Sequence, residues 1–124
     1  LKLYLSTEVL WLIIFLIYNS RVPVSVKIGK GSKFAYSGIG CVLHERTIIG
    51  NNVLIGTNVT IGGKSKHYKV PVIGDSVYIG TGAKILGPIN IGDNVTIGAN
   101  AVVIEDVPEK AIVAGVPSRI INYN

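Results

Sequence analysis

Two histidines are the side chains of this 124-residue sequence best suited to move a proton near neutral pH. His44 follows the apolar Leu43, and His67 stands in a cationic stretch with Lys64, Lys66 and Lys69. A carboxylate orienting either ring would come from Glu45 or Asp75, and sequence alone assigns neither. Two histidines fall short of the three that a tris-histidine zinc site takes, so no metal site is expected. Cys41 is the single cysteine, which excludes an internal disulfide and fits a reducing compartment. It reads as a small buried apolar residue, not a nucleophile. The net charge of +5 arises from 12 Lys and Arg against 7 Asp and Glu, with no run of five like charges. That balance argues against nucleic acid and suits a phosphorylated small molecule.

These groups must be positioned by a repeat. From Leu43 onward an aliphatic residue returns every sixth position, usually with glycine behind it. The pairs are Ile49-Gly50, Ile55-Gly56, Ile61-Gly62, Ile73-Gly74, Ile79-Gly80, Ile91-Gly92 and Ile97-Gly98. Leu43, Ile85 and Val103 keep the register without glycine. Four residues after each aliphatic stands a small or β-branched residue: Thr47, Val53, Val59, Ser65, Val77, Ala83, Ile89, Val95 or Ala101. A period of six matches neither a helix nor a two-sided sheet. It matches a triangular parallel coil of short strands, roughly three hexads to a turn. The aliphatics are expected inside, and the glycines are expected at corners whose backbone angles penalise a Cβ. The class is therefore all-β with one N-terminal helix.

Residues 1–21 lie outside the repeat. Val9 to Tyr18 is an unbroken apolar run behind a helix cap at Ser6 or Thr7, and Asn19, Ser20 and Pro23 end it. Ten apolar residues fall short of the ~20 that cross a bilayer. The segment is expected to cover the open end of the coil or a neighbouring subunit, with membrane-surface contact through residues 1–18 as the other reading. The sequence begins at Leu1 and contains no methionine, so a natural start ahead of it is expected. Residues 22–107 form the coil. A three-residue offset places an excursion at Ser37 to Val42, and the lysines around His67 place a loop near residues 63–70, because they cannot share a dry core. Residues 108–124 form a C-terminal tail.

The hexads, the loop and the ending together resemble the left-handed β-helix (hexapeptide-repeat) acyltransferases, nearest to serine acetyltransferase and related sugar O-acetyltransferases. The likeness rests on Val59-Thr-Ile-Gly-Gly63, Pro71-Val-Ile-Gly-Asp75, Ile79-Gly-Thr-Gly-Ala-Lys-Ile-Leu-Gly87 and Ala114-Gly-Val-Pro-Ser-Arg-Ile120. It implies a left-handed parallel β-helix, a homotrimer, and acetyl-CoA as co-substrate in a groove between subunits. Gly80, Thr81, Gly82, Ala83, Ala99 and Ala101 would give a pantetheine arm a low wall. Gly115 lies in the tail that completes the site, and Arg119 would meet the cofactor phosphates. The acceptor would be a small molecule, serine or a sugar, and the location cytoplasmic, with the inner face of the membrane as an extension.

The same resemblance implies a histidine base that takes the acceptor's hydroxyl proton, and here the sequence departs from the pattern. Laid on residues 37–50, the family's catalytic histidine falls on Ser37 and the acidic residue before it on Tyr36. No acid stands at Arg21 to Lys27, where the family's orienting carboxylate arises. His44 is then the leading candidate for the base. His67 is the rival, because galactoside and maltose acetyltransferases carry theirs in such a loop. A non-catalytic trimeric scaffold or CoA-binding module is the alternative to an enzyme.

Overall fold

The structure is a computed structural model that describes residues 6–124; the first five residues of the expected N-terminal helix and membrane contact lie outside the described residues. Helix α1 spans Thr7–Tyr18. The Ser6 hydroxyl accepts the Val9 amide proton at 3.2 Å, and Glu8 lies in the first turn, where the helix dipole favours a negative charge. Asn19 ends the helix in a left-handed conformation, its amide bonded to the Phe15 carbonyl at 3.0 Å. No residue of α1 is buried, so the helix does not close the end of the coil as a plug would. No described helix is long and apolar enough to cross a membrane.

The remainder is a left-handed β-helix of about four turns. The first turn holds β1 (Lys27–Ile28), β2 (Lys33–Phe34) and β3 (Val42–Leu43), and the second β4 (Ile48–Ile49), β5 (Leu54–Ile55) and β6 (Thr60–Gly62). The third holds β7 (Val72–Ile73), β8 (Tyr78–Ile79) and β9 (Lys84–Leu86), and the fourth β10 (Asn90–Ile91), β11 (Thr96–Ile97) and β12 (Val102–Val103). A further strand, β13 (Ala111–Ala114), continues the stack, and β14 (Arg119–Tyr123) returns antiparallel to it. Three faces result: β1-β4-β7-β10, β2-β5-β8-β11-β13 and β3-β6-β9-β12, each a parallel ladder in register.

All eight repeat isoleucines from Ile49 to Ile97 are buried, and the small residues at the fourth following position fill the space between them. Ser65 is the exception, because it belongs to the loop and is exposed. The coil also runs past Val107: Ala111 and Val113 are buried, and β13 pairs with β11. The stretch from residue 108 is therefore partly core, not only a tail.

The glycines serve a different purpose from the one expected. Left-handed backbone occurs three places after the aliphatic, at Asn52, Asn58, Ser76, Gly82, Asn94 and Asn100, and not at the glycine itself. Asparagine tolerates that conformation because its short amide bonds locally. What the glycine provides is clearance. A Cβ on Gly80 would lie 2.6 Å from the Ala99 nitrogen of the next turn. The next position carries a second device. Asn51 Oδ1 accepts the Lys30 amide, Asp75 Oδ1 the Asn51 amide, and Asp93 Oδ1 the Asp75 amide, at 2.7–2.8 Å. Each turn thus satisfies a corner donor of the turn before it.

Two interruptions break the hexads. A 3₁₀ turn at Ala35–Gly38, with Tyr36 and Ser37 left-handed, absorbs the three extra residues slightly before the expected Ser37–Val42. The second is the loop after β6, whose residues from Gly63 to Lys69 are all exposed while Val70 returns to the core. Burial pushes the Cys41 thiol above its usual range, against the opposing pull of backbone hydrogen bonds and the Lys84 charge, and its Sγ donates to the Gly56 carbonyl at 3.2 Å. It is a core residue.

Removing one inward side chain mid-stack tests this packing. Ile79→Ala deletes a wholly buried side chain and should cost about 2–5 kcal/mol in urea unfolding, the range for large-to-small core changes. A cost under ~1 kcal/mol would mean that the column is not close-packed.

Candidate active site

The corner after the third face is built unlike the other two. Its positions carry His44, Gly62, Leu86 and Ile104, where the other corners carry small residues and close backbone contacts. His44 has no left-handed backbone, so it is not a strained substitute for a corner glycine. This corner has room for side chains, and it is where the loop leaves the coil. A Cβ on Gly63 would lie 3.8 Å from His44 Cδ2, which puts the imidazole at the loop's root. A cavity of about 420 Å³ opens there, lined by Arg21, His44, Glu45, Thr60 and Gly62 among others.

The two histidines are held in opposite tautomers. His44 Nδ1 accepts the Arg46 amide proton at 3.1 Å. In the neutral ring that nitrogen is bare, so Nε2 carries the proton and can only donate. His67 Nδ1 lies 3.0 Å from the Ser65 carbonyl oxygen, which can only accept. Nδ1 therefore carries the proton, and Nε2 keeps a lone pair facing solvent. Only the second arrangement suits proton abstraction. Among the described residues, neither ring has a carboxylate partner. Asp75 is committed to the corner ladder, and Glu45 offers its main-chain oxygen to Ser25 Oγ at 2.8 Å. Tyr36 and Ser37 sit exposed in the 3₁₀ turn.

The hexad pattern gives no sign of a role for Arg46. Its guanidinium lies 4.0 Å from the Tyr68 ring centroid and donates from Nη2 to the Tyr68 carbonyl oxygen, 22 residues away. One side chain thus ties the loop to the coil at two points, beside a cavity of about 420 Å³ that also reaches Lys69, Pro88 and Asn90. No spacing in the sequence points to this pair, because the contact exists only after a full turn stacks on the next.

The expected cofactor residues divide by direction. Thr81, Ala99 and Gly115 hold equivalent places two residues beyond Ile79, Ile97 and Val113, in line with Thr57 beyond Ile55. They form one exposed row along an edge, and the hydroxyls of Thr57 and Thr81 pair at 2.7 Å. Gly82 flanks that row in left-handed backbone, and Gly80 is buried beneath the next turn. Ala83 and Ala101 must be corrected: both are wholly buried at inward positions, so their methyl groups fill the prism and cannot wall a groove. Lys84 is half-buried with Nζ donating to the Asn58 carbonyl at 2.6 Å. Arg119 is exposed on β14, donates to its neighbour's carbonyl at 2.9 Å, and borders a cavity of about 250 Å³.

Coil, corner and edge together define a protein class. The chain is similar to the hexapeptide-repeat acyltransferases. Residues 71–105 match the family model described as bacterial transferase hexapeptide (six repeats), and residues 46–63 match the hexapeptide repeat of succinyl-transferase. Within that class it is similar to serine acetyltransferases. The serine acetyltransferase of Bacillus licheniformis is 41% identical over 112 residues, covering 85% of this chain and 52% of that protein. A solved serine acetyltransferase in complex with cysteine superposes with a TM-score of 0.87 at 39% identity, covering 94% of this chain and 46% of that one. A serine acetyltransferase in complex with CoA gives a TM-score of 0.80 at 42% identity, covering 90% and 46%. The chain spans about half the length of the curated relatives it matches.

The Arg46 tether predicts a measurable change in loop order. Arg46→Ala should speed trypsin cleavage at Lys64, Lys66 and Lys69, with the unfolding midpoint of the coil nearly unchanged. Unaltered cleavage would show that the loop holds itself without Arg46.

Proposed function

We propose that the chain is an acetyl-CoA-dependent O-acetyltransferase in which His67, not His44, takes the proton from the acceptor hydroxyl. The observation that carries this reading is a pair of main-chain hydrogen bonds that select opposite tautomers, in His67 on the loop and in His44 beside the residue where that loop leaves the coil. His67 offers a bare Nε2, and His44 offers an Nε2–H. The one can accept a hydroxyl proton as its oxygen attacks, and the other can donate to the negative charge that develops on the acyl oxygen. Acetyl-CoA supplies the acetyl group as a thioester, whose thiol departs. The edge row of Thr81, Ala99 and Gly115, flanked by Gly82, suits a thin pantetheine arm, because its side chains are short and a Cβ on Gly115 would touch only the Pro117 carbonyl oxygen, at 3.7 Å. Arg119 stands at the end of the same edge, where a phosphate could be met. Association about a threefold axis fits this arrangement, since the outer faces expose Ile48, Leu54, Val72 and Tyr78.

Serine is the acceptor that similarity to serine acetyltransferases supports. Tyr36 and Ser37, standing where that family's catalytic pair falls, favour a second reading in which the acceptor is a sugar hydroxyl. A turnover panel of free serine, free sugars and nucleotide-linked sugars separates them.

His67→Ala should lower kcat by about 10²–10⁴-fold, the usual contribution of a general base, with little change in the Michaelis constant for acetyl-CoA. His44→Ala should cost less, on the order of the 10²–10³-fold for one oxyanion donor at most. The reverse ranking would return the base to His44, and indifference to both would end the catalytic reading.

Arg119→Ala should raise the Michaelis constant for acetyl-CoA by roughly tenfold at low salt, with a smaller effect as salt is added. An unchanged constant at low salt would make Arg119 a solvated charge only.

A further inference from the structure

The end of the coil that carries α1 combines two surface properties. The first is apolar. Every aliphatic side chain of α1 is exposed to some degree, with Leu16 at 70% and Ile17 at 68%. Hydrophobic residues run round the whole helix, so there is no polar face to leave in water against a single protein partner. The first turn adds Val24 and Tyr36, each at 80% exposure. The second property is charge. Arg21, Lys27, Lys30 and Lys33 are all exposed at this end, and the sequence has no carboxylate between Glu8 and Glu45. Arg21 links the two properties directly, its guanidinium 5.1 Å from the centroid of the Trp11 ring. Tyr18 ties the helix end to the coil by accepting the Gly40 amide at 3.0 Å.

We propose that α1 and the first turn of the coil form a docking surface for an anionic lipid bilayer. Over its described residues the helix is too short to span one; at about 1.5 Å per residue the 12 residues Thr7–Tyr18 reach about 18 Å. That length suits insertion into one leaflet, with the aromatic rings of Trp11 and Tyr18 suited to the interface. The four cations then face the headgroups, where each contributes about fivefold to binding. The row of Thr81, Ala99 and Gly115 lies on other turns and, although Arg21 also lines the His44 cavity, vesicle binding is read without turnover, so this inference does not depend on the catalytic reading.

Co-sedimentation of the full chain with phosphatidylglycerol–phosphatidylcholine vesicles, beside pure phosphatidylcholine vesicles, tests the proposal. Binding should be at least tenfold tighter to the anionic vesicles and should weaken as salt is added. Joint replacement of Arg21, Lys27, Lys30 and Lys33 by Gln should remove that preference, and Leu16→Gln with Ile17→Gln should lower binding to both vesicle types. Circular dichroism of each variant shows that the coil has folded. Equal affinity for neutral and anionic vesicles, or none for either, overturns the proposal. Light scattering that reports self-association lost with the Leu16 and Ile17 changes, without vesicle binding, assigns the surface to a second copy of the chain instead.

Discussion

Every part of this molecule depends on a dry aliphatic column that must be refilled every six residues. Strands of two or three residues have almost no stability alone, and each face gains its ladder only from the turns above and below. The column makes stacking favourable, and stacking supplies the hydrogen bonds. Because the turns are so close at two of the three corners, the residue after the aliphatic has no room for a side chain there. The Asn and Asp carboxamide or carboxylate ladder then satisfies donors that this tight corner would otherwise leave unpaired.

The same geometry explains where chemistry is available. Two corners are consumed by packing. The third, which carries His44, Gly62, Leu86 and Ile104, is open enough for side chains and for a loop to leave the coil. A long β-helix offers few concave surfaces, so a site must be assembled from such an irregularity together with an adjoining edge. Here the irregularity brings a histidine on the coil beside the root of a loop that carries another, and Arg46 restrains that loop by a contact made across turns. Lysines that cannot enter the core are what throw the loop outward, so the feature that breaks the repeat is the one that equips the corner.

Histidine chemistry in this protein follows from main-chain partners, not carboxylates. A backbone amide fixes one ring as a donor and a backbone carbonyl fixes the other as an acceptor. Such partners carry no net charge, so they select a tautomer without bringing in a counter-ion. Asp75, which looked in sequence like a free acid near the site, spends its carboxylate on holding two turns together.

The amino-acid sequence by itself determined the prism, because a period of six leaves one inward direction, and it determined the positions of both interruptions to within a few residues. Ile49 to Ile97 were legible as core, and Lys64 to Lys69 as loop, since burial of apolar groups and exclusion of charges depend on residue type alone. It misjudged the glycines, whose small size answers to the neighbouring turn and not to their own backbone. It also put Ala83 and Ala101 on a groove, because a methyl group can face either way and only packing chooses. The tautomers of His44 and His67, the Arg46–Tyr68 tether and the exposed row of Thr81, Ala99 and Gly115 were decided by the folded structure. The Arg46–Tyr68 contact exists only once one turn rests on the next, the exposure of the row is settled only by packing, and the tautomers follow from local main-chain geometry that residue type does not reveal.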